Sequence, residues 1–163
     1  PRAIRAMILG IPNVGKSSLI NRLLGKNVTR TGDKPGVTRG KQLVKIGASL
    51  ELLDTPGMLW PKLEDQEAAF RLAATGAIAD DIYDLEDVAR RLLILLADAY
   101  PERLCERYGL ETLPDNIDEL LSMIGAKRGC LLGGGIIDLV KTRRMILTEF
   151  RNGKLGKFTL DRV

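Results

Sequence analysis

The chain has 163 residues, 45% apolar and 28% charged, enough for one ordinary domain or two small ones around a hydrophobic core. Its densest apolar run, LLILLA at 92–97, is far too short to cross a bilayer, and with no histidine anywhere the usual general base and the usual zinc ligand are both missing. The net charge of +4 hides a division: residues 1–45 carry ten basic residues against one acid, residues 46–140 eight against eighteen, and residues 141–163 seven against two.

In chain order, PRAIRAMILG has too short an apolar core for a signal peptide and contains a strand. The helical stretch SSLINRLLG follows, carrying Leu19, Ile20, Leu23 and Leu24 and stopping at Gly25. The polar, basic segment GKNVTRTGDKPGVTRGK then has the composition of a loop. KQLVKI and SLELLD read as two strands joined by a turn at Gly47. Beyond Gly76 the strand signals cease. DLEDVARRLLILLADAY predicts a helix with Asp84 as N-cap and Pro101 as its stop, and Leu85, Val88, Leu92, Leu95, Leu96 and Ala99 form its apolar stripe. NIDELLSMIG and IIDLVKTRRMILTEFRNG predict two more helices, the last closed by Asn152 and Gly153, with LLGGG at 131–135 as the loop between them. The expected fold is therefore α/β, a partial P-loop sheet over 1–76 followed by an all-helical domain over 77–163. Cys105 and Cys130 show no pairing pattern and read as reduced, which fits a cytoplasmic protein.

Gly10, Gly15, Lys16 and Ser17 satisfy G-x-x-x-x-G-K-[ST] between a predicted strand and a predicted helix, the context a phosphate-binding loop requires. Such a loop turns backbone N–H groups inward on phosphate oxygens, and the helix N-terminus adds its positive end. Asn13, Val14, Gly15, Lys16, Ser17, Ser18 and Gly57 are the expected nucleotide contacts. Lys16 would bridge β- and γ-phosphates, and Ser17 would ligate Mg²⁺. LELLDTPG ends a strand in Asp54, where open α/β sheets bind ligands; this carboxylate would hold Mg²⁺ through water, and the Gly57 N–H would reach the γ-phosphate. Thr38 in PGVT is placed to complete the Mg²⁺ shell. Lys16, Thr38 and Gly57 are thus the expected catalytic groups. The position that commonly holds a water-orienting Gln is Met58, so hydrolysis by this chain alone should be very slow or absent. Lys141, Arg143, Arg144, Arg151, Lys154 and Lys157 form a basic run suited to RNA phosphates. Two alternatives remain open at this level: a P-loop ATPase, and a non-hydrolysing RNA-binding module with a remnant nucleotide site.

The motifs GIPNVGKSSLIN, PGVT and DTPGM, in this order, resemble the G1, G2 and G3 motifs of translation-factor-class GTPases. GMLWPKLEDQEAAFRLAATGAI and FRNGKLGKFTLDR are similar to the ribosome biogenesis GTPase A (YlqF-type) family. That resemblance implies a circularly permuted order, with the guanine-reading G4 and G5 motifs ahead of G1. It also implies GTP or GDP as ligand, the large ribosomal subunit and its rRNA as partner and activator, and K⁺ at Asn13 beside Mg²⁺. N-K-x-D is absent: TGDKPG has the wrong order, and GAK at 125–127 mimics G5 without a G4 partner. The chain is therefore expected to be the C-terminal part of a longer protein whose N-terminal part reads the base.

Overall fold

The computed structural model describes residues 3–29, 40–59 and 64–160, which separate into two compact units, 1–79 and 80–163. In the first unit, β1 (Ile4–Ile8), α1 (Lys16–Leu24), β2 (Gln42–Ile46) and β3 (Leu50–Asp54) build a three-stranded sheet in the order β1-β3-β2. β1 runs parallel to β3 with Ile8 opposite Asp54, while β2 is antiparallel to β3 through the predicted turn at Gly47. Because parallel neighbours end on the same side, the loops that follow β1 and β3 leave from one edge of the sheet. α1 lies on β3, and Ile20, Val44 and Leu52 form the core between helix and sheet.

The expectation of a single helix before residue 76 is corrected by α2 (Gln66–Ala74). Its N-cap is Asp65, whose carboxylate accepts from the N–H groups of Glu67 and Ala68, and Phe70, Ala73 and Ala74 are buried. Its buried face is Phe70 with two alanines, too small an apolar stripe to stand out in sequence, so the cap is the better signal.

The second unit holds α3 (Leu85–Ala99), α4 (Pro101–Tyr108), α5 (Ile117–Lys127) and α6 (Leu139–Arg151). Asp84 caps α3 as expected; Val88, Ala89, Leu92, Leu93 and Leu96 are buried, whereas of the expected stripe Leu85 and Leu95 are half-buried and Ala99 is exposed. Pro101 ends α3 but also opens α4, since proline's missing N–H costs nothing in a first turn. α6 begins three residues later than its apolar pattern suggests, because the Asp138 side chain accepts from Lys141 N–H and sets the start. α6 packs on α3 and α5. Gly125, in the GAK triplet, is the contact point with α6: an added Cβ would stand 2.6 Å from Thr142 Oγ1 and 2.7 Å from Ile137 Cγ2. This glycine serves helix packing. Beyond α6, Leu155 is buried and the Phe158 ring lies 4.8 Å from that of Tyr100 and 5.9 Å from that of Phe150.

Candidate functional site

The residues after β1 turn sharply into α1. Asn13 has φ 60°, the one described non-glycine residue in the left-handed region, where asparagine is tolerated best, and Gly15 follows at φ 89° as the residue capping α1. Asn13, Val14 and Ser18 are exposed, while Lys16 and Ser17 are half-buried. The Lys16 ammonium donates to the Ile11 carbonyl at 2.7 Å, so its stem is folded over its own loop.

The loop after β3 is fastened to this turn at three points. The Thr55 hydroxyl donates to the Ile8 carbonyl at 2.8 Å, and the Met58 N–H donates to the Gly10 carbonyl at 3.2 Å. Gly57 approaches Pro12 so closely that a Cβ there would lie 2.5 Å from Pro12 N and 2.8 Å from its Cγ. Only glycine permits this approach. The Met58 side chain is 60% exposed, and it offers only a thioether beside the site.

Asp54 is fully buried, and Ser17 Oγ donates to its Oδ2 at 2.9 Å. Its other oxygen, Oδ1, has no hydrogen-bond partner among the described residues. A buried carboxylate oxygen without a partner costs on the order of 1–3 kcal/mol or more, so an arrangement that keeps one is suited to a cation. Among the described residues no group of three His, Cys, Asp or Glu could hold a metal. One carboxylate and one hydroxyl instead suit Mg²⁺, a hard cation that keeps waters and takes the rest of its oxygens from phosphates. Lys16, Ser17, Asp54 and Gly57 are therefore gathered at one sheet edge; Thr38 lies outside the described residues.

The sequence reading missed Asn21. Its side chain, 8% exposed, donates through Nδ2 to the Thr29 carbonyl at 2.8 Å, and its Oδ1 accepts from the N–H groups of Val28 (2.9 Å) and Thr29 (2.8 Å). The asparagine follows a helical apolar pattern at a site where that residue type is neutral at best, and this was the available signal.

The six basic residues assigned to RNA divide into two groups. Lys141, Arg144, Lys154 and Lys157 are exposed. Arg143, its side chain only 12% exposed, donates to Glu86 at 2.7 Å. Arg151 donates to Asp80 at 3.0 Å and to the Tyr83 hydroxyl at 2.7 Å, and Tyr83 in turn bonds Asp80. These two arginines hold the helical unit together.

A second polar group in that unit is Glu149, whose carboxylate accepts from Arg107 Nη2 at 2.6 Å and Nε at 3.1 Å, with Arg128 at 3.6 Å. Burial alone would raise the Glu149 carboxyl, but the Arg107 hydrogen bonds and the charges of Arg128 and Arg107 outweigh it and hold it below the usual carboxylate range.

The family model described as "50S ribosome-binding GTPase" matches residues 5–126. A Bacillus cereus protein named "Ribosome biogenesis GTPase A" is 58% identical over 161 residues, 99% of this chain and 54% of its own. A protein of the same name from Priestia megaterium is 56% identical over 99% of this chain and 56% of its own. Among solved structures, GNP-bound YlqF from T. maritima is similar with a TM-score of 0.64 at 26% identity, covering 99% of this chain and 60% of that one. The chain thus spans about half the length of the curated relatives it matches.

Proposed function

From the premise that this chain belongs to the 50S ribosome-binding GTPase family, we propose that it is the phosphate- and Mg²⁺-binding half of a GTPase of large-subunit assembly, joined to a helical rRNA-contacting domain. The observation that carries this reading is the buried Asp54 carboxylate, with one oxygen on Ser17 Oγ at 2.9 Å and the other without a partner among the described residues. Ser17 and Asp54, with Thr38, would hold Mg²⁺, which would supply positive charge against the phosphates. Lys16 leaves the Ile11 carbonyl to bridge those phosphates, and the backbone of residues 13–18 turns its N–H groups on them. The Gly57 N–H would face the γ-phosphate; water attacks its phosphorus in line, the bond to the β–γ bridging oxygen breaks, and GDP leaves as inorganic phosphate is released. The Met58 thioether is too weak an acceptor to orient an attacking water, so hydrolysis by this chain alone is slow, and the ribosomal subunit supplies the missing order. Asn13 is placed to hold K⁺ as an additional charge.

The guanine reader lies on another part of the protein, in a permuted order ahead of G1. Two findings support this. The relatives are nearly twice as long, and β1, an edge strand with Ile4 70% and Met7 54% exposed, offers that part a place to pair. On the helical side, Lys141, Arg144, Lys154 and Lys157 meet rRNA phosphates in the cytoplasm, where the subunit is assembled; Arg143 and Arg151 keep to their carboxylates.

The test is competition of GDP, ADP and pyrophosphate against a fluorescent GDP on this chain, with Mg²⁺ and with chelator. Weak binding that needs Mg²⁺, with GDP and ADP within a few-fold, is expected, because both offer the same phosphates and the base contacts are elsewhere. A clear ADP preference would favour an ATPase. A strong GDP preference would place a guanine pocket in this chain, and binding indifferent to chelator would overturn the Ser17–Asp54 metal site.

A further inference from the structure

α1 ends at Gly25 in a left-handed cap, with Gly25 N–H on the Arg22 carbonyl and Lys26 N–H on that of Asn21. The chain then reverses and runs back along the helix it has just left. Asn21 fastens that return: its carboxamide meets Val28 N–H, Thr29 N–H and the Thr29 carbonyl within 2.9 Å. A backbone mimic of this kind is satisfied on both its oxygen and its nitrogen, so the clasp has one register only. Its consequence lies one turn up the helix. The Thr29 hydroxyl, held 2.9 Å from Asn21 Oδ1, also stands 3.0 Å from the carbonyl of Ser17, the residue whose own hydroxyl donates to Asp54. Ser17 is thus gripped at its side chain by Asp54 and at its main chain by Thr29, and Thr29 is buried at 5% exposure.

Resting on the phosphate and Mg²⁺ site described above, we propose that Asn21 is a positioning residue for that site: it locks Thr29 against Ser17 and so sets the orientation of the Ser17 hydroxyl beside Asp54. The mechanism asks for no contact between Asn21 and ligand. Ser17 is the second residue of α1, where a small rotation of one peptide would redirect its hydroxyl, and groups that orient metal ligands through a second contact typically cost 10–100-fold in metal affinity when removed.

The experiment uses this chain and four variants, Asn21→Ala, Asn21→Asp, Thr29→Val and Thr29→Ser. Two quantities are read: amide hydrogen exchange at Val28 and Thr29 without nucleotide, and the Mg²⁺ concentration at half-maximal retention of fluorescent GDP. Asn21→Ala should abolish protection of both amides and raise the Mg²⁺ midpoint about tenfold or more. Asn21→Asp should keep part of the protection, since it retains the acceptor oxygen. Thr29→Val should leave the amides protected and still raise the midpoint, while Thr29→Ser, which keeps the hydroxyl, should restore it. If Asn21→Ala fails to fold, the Val and Ser variants at position 29 decide the question by themselves. Unchanged exchange in a folded Asn21→Ala chain overturns the clasp; a midpoint unmoved in Thr29→Val reduces it to a structural knot and overturns the proposal. Absence of any Mg²⁺-dependent nucleotide retention by the unaltered chain overturns instead the nucleotide site on which the proposal rests, and the exchange data show which of the two has failed.

Discussion

Gly57→Ala isolates the contact between the two loops of the proposed nucleotide site. Gly57 is not in the left-handed region, so alanine there is conformationally acceptable and the cost is steric. The new Cβ would stand 2.5 Å from Pro12 N and nearer still to Pro12 Cα, both main-chain atoms that cannot swing aside, whereas ordinary contact begins at 3.4 Å. The loops must therefore part by about 1 Å. That separation stretches the Met58–Gly10 hydrogen bond, already 3.2 Å, and carries the Gly57 N–H away from the position proposed for the γ-phosphate. Overpacking of this degree costs about 1–3 kcal/mol. If nucleotide binding requires the closed arrangement, that cost weakens affinity by about 5- to 150-fold. Titration with fluorescent GDP and Mg²⁺ measures the affinity, and thermal unfolding measures any part that falls on the free protein. Gly133→Ala, in the helical unit, is the control, because nothing among the described residues stands within 4 Å of its added Cβ and its φ is not positive. Affinity and melting temperature both equal to those of the unaltered chain would refute the reasoning.

Glu149→Gln should lower stability at pH 7 by up to about 3 kcal/mol, the low end for breaking a buried pair, because Arg107 keeps 29% of its side chain in water. Since the folded Glu149 carboxyl lies below its unfolded value, its contribution is complete above about pH 4.3 and is lost as pH falls through the lower folded value. Denaturant unfolding at pH 7 and pH 3 should show the difference between the two chains shrinking in acid, and a difference independent of pH would remove the ion pair as its cause. Arg144→Glu should weaken rRNA binding and make its salt dependence shallower by roughly one unit of slope without changing the melting temperature. Arg143→Glu should lower the melting temperature, because it sets a carboxylate against Glu86; the opposite pattern in the two variants would reverse their assignments.

The phosphate loop was legible in the bare sequence because its physics is local. Gly10, Gly15, Lys16 and Ser17 lie within eight residues, and the turn, the helix start and the two side chains follow from their order alone. Strands β1, β2 and β3 and the caps at Asp84 and Gly25 were readable for the same reason, since period, cap and turn residues act over one or two turns of chain. Helices α2 and α4 were not: α2 buries Phe70 with two alanines and α4 only Leu104 and Tyr108, too few large apolar residues for a period to stand out, whereas α1, equally short, carries four. What needed the folded chain was every statement about distance across sequence. The parallel pairing of β1 with β3 sets Asp54, thirty-seven residues on, against Ser17, and leaves its second oxygen without a partner among the described residues. In the basic run, charge counts treat all six cations alike, but Arg143 and Arg151 meet carboxylates 57 and 71 residues away and are withdrawn from solvent. Asn21 shows the same limit from the other side: its identity is visible in the sequence, but its role exists only once the chain has reversed at Gly25 and brought Thr29 back to it.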